Sequence, residues 1–210
     1  MKLKLDLHVH TTRSRDAFTA LDHLPRLAKN SGLDGAAVTD HNCALDLVVG
    51  GTIVVPGIEI SSSEGHVIGL GITAPIPRGL SADQTINEIH RMEGVAVIPH
   101  PYDLFRKSVR PERLTARPDA IEVVNSSSFL HSVTWKRGRK YAHKAGLPMV
   151  AGSDSHIPQT IGRAYTVIDT DSGDIPGILD AIRKGSVTPS GRPISIWDRL
   201  RKTVLSTRRA

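Results

Sequence analysis

The sequence predicts an α/β fold whose mostly parallel sheet closes as a barrel, smaller and less regular than the eight-unit kind. Three observations carry this. Short apolar strands alternate with amphipathic helical stretches, the pattern of βαβ units. Polar residues, chiefly His, Asp and Glu, gather just after the C-terminal ends of those strands, where a (β/α) barrel displays its site. No G-x-G-x-x-G follows the first strand, so an open dinucleotide-binding sheet loses support. Helical stretches are fewer than strands, so eight full units are not expected.

The elements follow in order. Leu3, Leu5 and Leu7 alternate at period two and place a strand at 2–8. A polar loop covers 11–18. Leu21, Leu24, Leu27 and Ala28 have helical spacing, giving a helix at 20–30 that ends near Gly32. A short buried strand at 35–39 leads into Asp40-His41-Asn42. The β-branched run 52–55 passes through Pro56-Gly57 to Ile58-Glu59-Ile60 and pairs with a strand at 66–71 as a hairpin. Ser81 and Gln84 form a capping box that starts a helix at 82–93, closed by Gly94. Strand 95–98 runs into Pro99-His100-Pro101, and strand 120–124 ends at Asn125. A basic helix at 133–145 stops at Gly146. Strand 148–151 ends at Gly152-Ser153-Asp154-Ser155-His156. The last strand is expected at 164–168 and the last helix before the tail at 175–184. One barrel domain thus spans 1–193, followed by a basic, helical tail at 194–210. In the tail Ile196, Trp197, Leu200 and Val204 form an apolar stripe beside Arg199, Arg201 and Lys202, suited to closing the barrel's base or touching a membrane surface or partner.

A chain of 210 residues supports one substantial core. With 39% hydrophobic and 23% charged residues, neither disorder nor a membrane-embedded chain is expected. No apolar run reaches bilayer-spanning length, and Asp6 and the histidines interrupt any signal-like segment. The single cysteine, Cys43, excludes an internal disulfide framework and fits a reducing compartment, so a cytoplasmic location is expected. A net charge of +6 and a pI near 9.7 point to an anionic substrate or a nucleic-acid partner. Only 4% of residues are aromatic, which leaves few platforms for stacking bases.

His8 and His10 lie two apart on a strand and project to one face, where neutral imidazoles can grip a metal ion. Asp16, His41, Glu59, His66, His100, Asp154 and His156 are the further candidates. A lone histidine at a strand end is ordinarily a hydrogen-bonded structural residue, and a lone Asp a cap. The set is the argument: H-x-H and D-x-H pairs on two strand ends, with Glu and His between. On one sheet Asp16, Glu59 and Asp154 converge on one mouth, and unpaired buried carboxylates are costly. Divalent cations compensate them. Three such ions against three carboxylates leave a surplus of about +3, which suits hydroxide plus a phosphate dianion. Imidazole and carboxylate without thiolate suit manganese, iron or zinc. Arg13, Arg106, Lys107 and Arg163 follow these stretches and can orient a phosphate. His23, His90, His131 and His143 read as surface or packing residues.

D-L-H-V-H-T-T at 6–12, T-D-H-N at 39–42, G-I-E at 57–59, P-H-P at 99–101 and G-S-D-S-H at 152–156 together resemble the PHP family, named for polymerase and histidinol phosphatase. The resemblance implies a distorted (β/α)7 barrel, a site for two to three divalent ions and metal-dependent phosphoester hydrolysis. It implies that His8, His10, Glu59 and Asp154 hold one ion, that Glu59 bridges to a second completed by His66 and His100, and that Asp16, His41 and His156 hold a third. Glu59, Asp154 and His156 are then the catalytic residues, and a hydroxide bridging two ions attacks phosphorus in line. Glu122 and Asn125 stand behind the ligands. In many relatives the loop aspartate follows a serine directly, whereas Arg15 separates Ser14 from Asp16 here. His66 reaches the mouth only if the hairpin after Glu59 is tight. The expected substrate is a small phosphate monoester or nucleotide. The alternatives are an exonuclease acting on nucleic-acid ends and a non-catalytic PHP binding module.

Overall fold

The computed structural model describes residues 1–45 and 51–209, with side chains through 207. The elements run β1 (Lys2–Val9), a 3-10 turn (Leu21–His23) leading into α1 (Leu24–Asn30), β2 (Gly35–Val38), β3 (Ile53–Ser61) and β4 (His66–Leu70). There follow α2 (Ala82–Arg91), β5 (Val95–Ile98), β6 (Ala120–Asn125), α3 (His131–Ala145) and β7 (Met149–Gly152). The chain continues with β8 (Ala164–Asp169), α4 (Ile175–Lys184), β9 (Val187–Gly191) and α5 (Ile196–Arg209). No helix among the described residues is long and apolar enough to cross a membrane.

One sheet holds nine strands in the order β7-β6-β5-β4-β3-β2-β1-β8-β9. Its far end returns to β1. The Asp154 N–H donates to the His8 carbonyl at 2.8 Å, and the His10 N–H donates to the Ser155 carbonyl at 2.9 Å. The expected distorted TIM-like barrel is therefore nearly closed over β1–β7. The expectation of a mostly parallel sheet needs correction. β1-β2, β2-β3, β5-β6 and β6-β7 are parallel, but β1-β8, β3-β4, β4-β5 and β8-β9 are antiparallel. The short link from β3 to β4 has no room for a crossover helix, so β4 runs backwards between two parallel blocks.

Two further differences have local causes. β3 is one strand, not two pieces, because it changes partner at Pro56. Its first half pairs with β2 and its second half with β4. β9 was not expected after β8. Its sequence V-T-P-S-G lacks alternation, and its burial is intermediate to exposed, as befits a proline-bearing edge strand. The capping box of α2 is as expected: the Gln84 N–H donates to Ser81 Oγ at 3.1 Å, and the Ser81 N–H to Gln84 Oε1 at 3.0 Å.

Packing explains which face carries the histidines. Leu3, Leu5 and Leu7 join one core cluster with Val55, Leu70, Val97 and Val150. Val9 has the same parity yet packs in a different cluster with Leu24 and Ala28 of α1. The β1-β2 register shifts between Asp6 and Val9. Such a bulge reverses the phase of a strand. His8 and His10 thereby take over the inner face that the leucines hold below. The base is closed by α4, whose Ile178, Leu179 and Ile182 share the leucines' cluster. The tail does not close it. α5 lies at the opposite end, beside the strand ends, and its Ile196, Trp197, Leu200 and Val204 are 49–75% exposed.

Candidate metal centre

The nine expected ligands arrive from six strand ends and one loop. The β3-β4 hairpin is tight, with Ser61 opposite His66, so His66 returns to the mouth. Glu59 is 1% exposed and lies at the middle. Five imidazoles meet its carboxylate: His41 Nδ1 at 2.9 Å, His66 Nδ1 at 3.0 Å, His100 Nε2 at 3.2 Å, His8 Nε2 at 3.4 Å and His10 Nε2 at 3.5 Å. Asp154 Oδ1 lies 3.5 Å from His10 Nε2 and 3.7 Å from His8 Nε2. Asp16 Oδ2 is 3.1 Å from His156 Nε2, and its Oδ1 is 3.7 Å from His41 Nε2.

Buried anchors set these positions. Asp40 accepts from the Thr11 N–H, the Thr11 hydroxyl and the Ser14 hydroxyl, pinning the loop that carries Asp16. Ser14 stays buried on Asp40 while Arg15 is exposed, so the extra residue is absorbed toward solvent. Asp6 accepts from the N–H groups of Ser153 (2.8 Å) and Gly162 (2.9 Å), which ties the D-x-H segment to β1. His100 and Asp154 have φ of 33° and 52°, left-handed values uncommon for residues with a Cβ and found at strained functional sites.

The donors fit divalent cations. His8 Nε2 and His10 Nε2 face each other at 3.2 Å. The His10 ring centroid lies 4.3 Å from that of His156 and 4.4 Å from that of His41. His66 Nδ1 is buried without a hydrogen-bond partner, despite its nearness to Glu59. Lone pairs this crowded need positive charge between them. Among the described residues three triads offer ligand atoms within 4.8 Å of one another: His8-His10-Glu59, His41-Glu59-His66 and His10-His41-His156. Cys43 is not among them. Its thiol is turned to the adjacent Ala44 carbonyl.

The electrostatics agree. Burial works to raise the Glu59 carboxyl, but the His8 and His66 imidazoles hold it well below the usual range. Asp154 is likewise buried, and Arg106 and His8 hold it low. Burial and then the facing His156 ring push His10 down to about 3. His8 goes the other way: burial opposes its charge, yet Asp154, Glu122 and Glu59 raise it well above normal. Burial lifts Asp6 to about 6 against its N–H donors.

Known proteins are similar to this chain. The protein MJ1587 of Methanocaldococcus jannaschii is 33% identical over 141 residues, 59% of this chain and 82% of its own. The probable phosphatase YcdX of Shigella flexneri is 28% identical over 200 residues, 75% of this chain and 80% of its own. A solved two-domain protein from Bacteroides vulgatus contains a predicted PHP-like metal-dependent phosphoesterase. It superimposes with a TM-score of 0.69 at 18% identity, over 98% of this chain and 70% of that one. A family model described as PHP-associated matches residues 136–187. The chain belongs to the PHP family.

Within this PHP barrel the four expected phosphate-orienting cations divide. Arg106 lies at the cluster and donates to Asp154 Oδ2. Arg13 donates to the Ala44 carbonyl at 3.0 Å. Lys107 is exposed, and only its backbone carbonyl serves the site's frame, accepting from the His66 N–H. Arg163 is drawn 3.7 Å from Asp198 of α5, away from the ligands. Conversely, Lys202 of α5, which the sequence placed in a remote tail, stands 3.5 Å from Asp16. Only proximity of the tail to the mouth reveals it.

Glu122 braces the cluster from behind. Its Oε1 accepts from His8 Nδ1 at 3.0 Å, and its Oε2 accepts from the His100 N–H and the Asn125 amide at 2.8 Å each. A carboxylate behind a ligand imidazole fixes its tautomer and ring orientation. Glu122→Gln is expected to lower metal affinity or turnover by about 10- to 100-fold with the fold kept. Elemental analysis and initial rates on the purified variant check this, and unchanged values for both would refute the role.

Proposed function

We propose that the chain is a metal-dependent phosphoesterase that hydrolyses a small phosphate monoester or nucleotide at a trinuclear site. The observation that carries this reading is one carboxylate, Glu59, serving five imidazoles within 3.5 Å. One negative charge does not match five nitrogen lone pairs, whereas a carboxylate shared between cations does. His8, His10, Glu59 and Asp154 would hold one ion. Glu59, His66 and His100 would hold a second, and Asp16, His41 and His156 a third. Divalent cations in such a set supply Lewis acidity and bring the pKa of a water toward neutrality.

The chain's own residues do the rest. Glu122 holds the proton on His8 Nδ1, which leaves Nε2 free to ligate. His156 Nδ1 donates to the Asp154 carbonyl at 3.0 Å, so its Nε2 lone pair faces Asp16. That orientation favours a ligand over a general acid. Arg106, half withdrawn beside Asp154, presents a guanidinium for a phosphate oxygen.

A second reading, an exonuclease acting on nucleic-acid ends, has one observation in its favour. Phe105 and Phe129 are 66% and 56% exposed at the rim, with ring centroids 5.3 Å apart, where a base can stack. Purified protein is expected to carry two to three equivalents of Mn, Fe or Zn and to hydrolyse p-nitrophenyl phosphate. Metal-free protein that gains no activity on adding these ions would refute both readings. Cleavage of a labelled oligonucleotide with p-nitrophenyl phosphate left intact would select the second.

A further inference from the structure

α5 turns cationic side chains toward the mouth while its apolar stripe faces outward. Lys202 Nζ lies 3.5 Å from Asp16 Oδ2. Arg199 donates to the carbonyls of Ser127 at 3.1 Å and Ser128 at 3.0 Å, with its guanidinium 4.2 Å above the Phe129 ring. Arg106, from the loop after β5, donates to the same Ser127 carbonyl at 3.2 Å. Two guanidinium groups thus converge on one oxygen. Arg106 Nε is buried without a hydrogen-bond partner, 3.8 Å from the equally buried Asp103 Oδ2. These side chains, with Asp154 and His156, line a cavity of about 220 Å³ beside the cluster.

The charges around this cavity are unbalanced once the site is loaded. As the chain stands, Arg106 offsets Asp154 and Lys202 offsets Asp16. On the phosphoesterase reading, on which this inference rests, both carboxylates are ligands and divalent ions compensate them. Arg106 is then shared between the scissile phosphate and the buried Asp103, 3.8 Å from its Nε, while Arg199 and Lys202 face the cavity with two further positive charges. The other carboxylate on its wall, Asp198, is engaged by Arg163 and by the Ser195 hydroxyl at 2.8 Å. Like charges brought together in a partly dry cleft call for an anion. The phosphoryl group being cleaved belongs on the ions, so the anion filling this cavity is a different group of the same substrate.

We propose that the cavity between α5 and the ends of β6 and β7 is a subsite for a second anionic group, carried by the leaving alcohol of the phosphoester. Its volume equals about seven waters at ~30 Å³ each. The tail it admits is therefore short, ending in a phosphate or a carboxylate. Arg199 and Lys202 are the residues that recognise it.

The test is binding, read by titration calorimetry on the metal-loaded full chain. Propylphosphonate has a neutral tail, propane-1,3-bisphosphonate a second phosphonate, and 4-phosphonobutyrate a carboxylate. At least one anion-tailed probe is expected to bind ~10-fold or more tightly than propylphosphonate, the scale of one charge-assisted contact. Which of the two gains more identifies the anion. The preference is expected to fall to about twofold or less in Lys202→Met and Arg199→Met, by the loss of that contact, and to return in Lys202→Arg. Circular dichroism checks that α5 stays folded. Equal binding of all three probes, or a preference surviving both Met variants, overturns the subsite and leaves the phosphoesterase reading standing. Failure of every probe to bind, with no phosphoester hydrolysed, overturns both.

Discussion

Glu59→Gln is expected to lower kcat/KM for phosphoester hydrolysis by ~10³-fold or more and to strip at least one metal equivalent. Glutamine keeps the shape and one acceptor oxygen, so the β3-β4 hairpin has no reason to rearrange. What changes is charge at the point where five imidazoles meet. Lewis-acid stabilisation by bound ions is worth several kcal/mol, and each 1.4 kcal/mol or so is tenfold in rate. In the loaded site the amide N–H₂ would also have to point at a cation, which does not suit a donor. Initial rates with p-nitrophenyl phosphate and elemental analysis of the same preparation decide the matter. A variant with wild-type metal content and a rate within tenfold of wild type would remove Glu59 from the centre of the site.

Gly152→Ala has the second largest expected effect, through sterics instead of charge. A Cβ at position 152 would lie 2.3 Å from His8 Cβ and 2.8 Å from both the His8 backbone nitrogen and Glu122 Oε1. None of these atoms is the end of a free side chain, so β7 must move off β1. Overpacking of this kind costs about 1–3 kcal/mol, and a domain of this size loses roughly 2–4 °C in Tm per kcal/mol. Displacing His8 by about 1 Å is expected to cost ~10²-fold in turnover on top of that. Gly32→Ala is the control. Gly32 has φ of 71° but nothing within 4 Å of a new Cβ, so it pays only the left-handed strain of about 1–2 kcal/mol and keeps its rate. If both variants melt and turn over alike, close approach at the β1-β7 seam is not what positions His8.

The site was more legible than the sheet, for a physical reason. Most expected ligands sit at an end of a strand whose apolar run marks it, Asp16 coming from a loop, and a nearly closed barrel brings its strand ends to one mouth. His8, His41, His100 and Asp154 are therefore placed at the mouth by local reading, although only the set of them, not any one residue, marks a candidate site. His66 needed one tertiary fact, the tight return at Ser61, which the sequence left as a condition. The direction of β8 and the existence of β9 were not legible, since strand direction is decided by connections and Val187–Gly191 has no core face to display. The place of the tail was misjudged because its apolar stripe suggested burial. In the structure the polar side of α5 does the anchoring, through Arg199 to Ser127 and Ser128 and through Asp198 near Arg163. Lys202 and the displacement of Arg163 follow from that one contact. Glu122 is visible in sequence as a carboxylate on a buried strand, but two of its three hydrogen bonds depend on His8 of β1 and His100 after β5 being brought to it.

The seam between β1 and the end of β7 also dictates timing. Ser153 and Asp6, joined across it, stand 147 residues apart in the chain. At synthesis rates of ~5–20 residues per second, roughly 7–30 s separate the appearance of the two halves. Over that interval His8 and His10 are made but have no Asp154 or His156 to complete their surroundings. Long-range pairing of this kind also closes slowly once both partners exist. Ions captured early would be held by a fragment of the final set, with weaker discrimination among metals. Full discrimination among metals is therefore expected only after the last third of the barrel has joined the first strand.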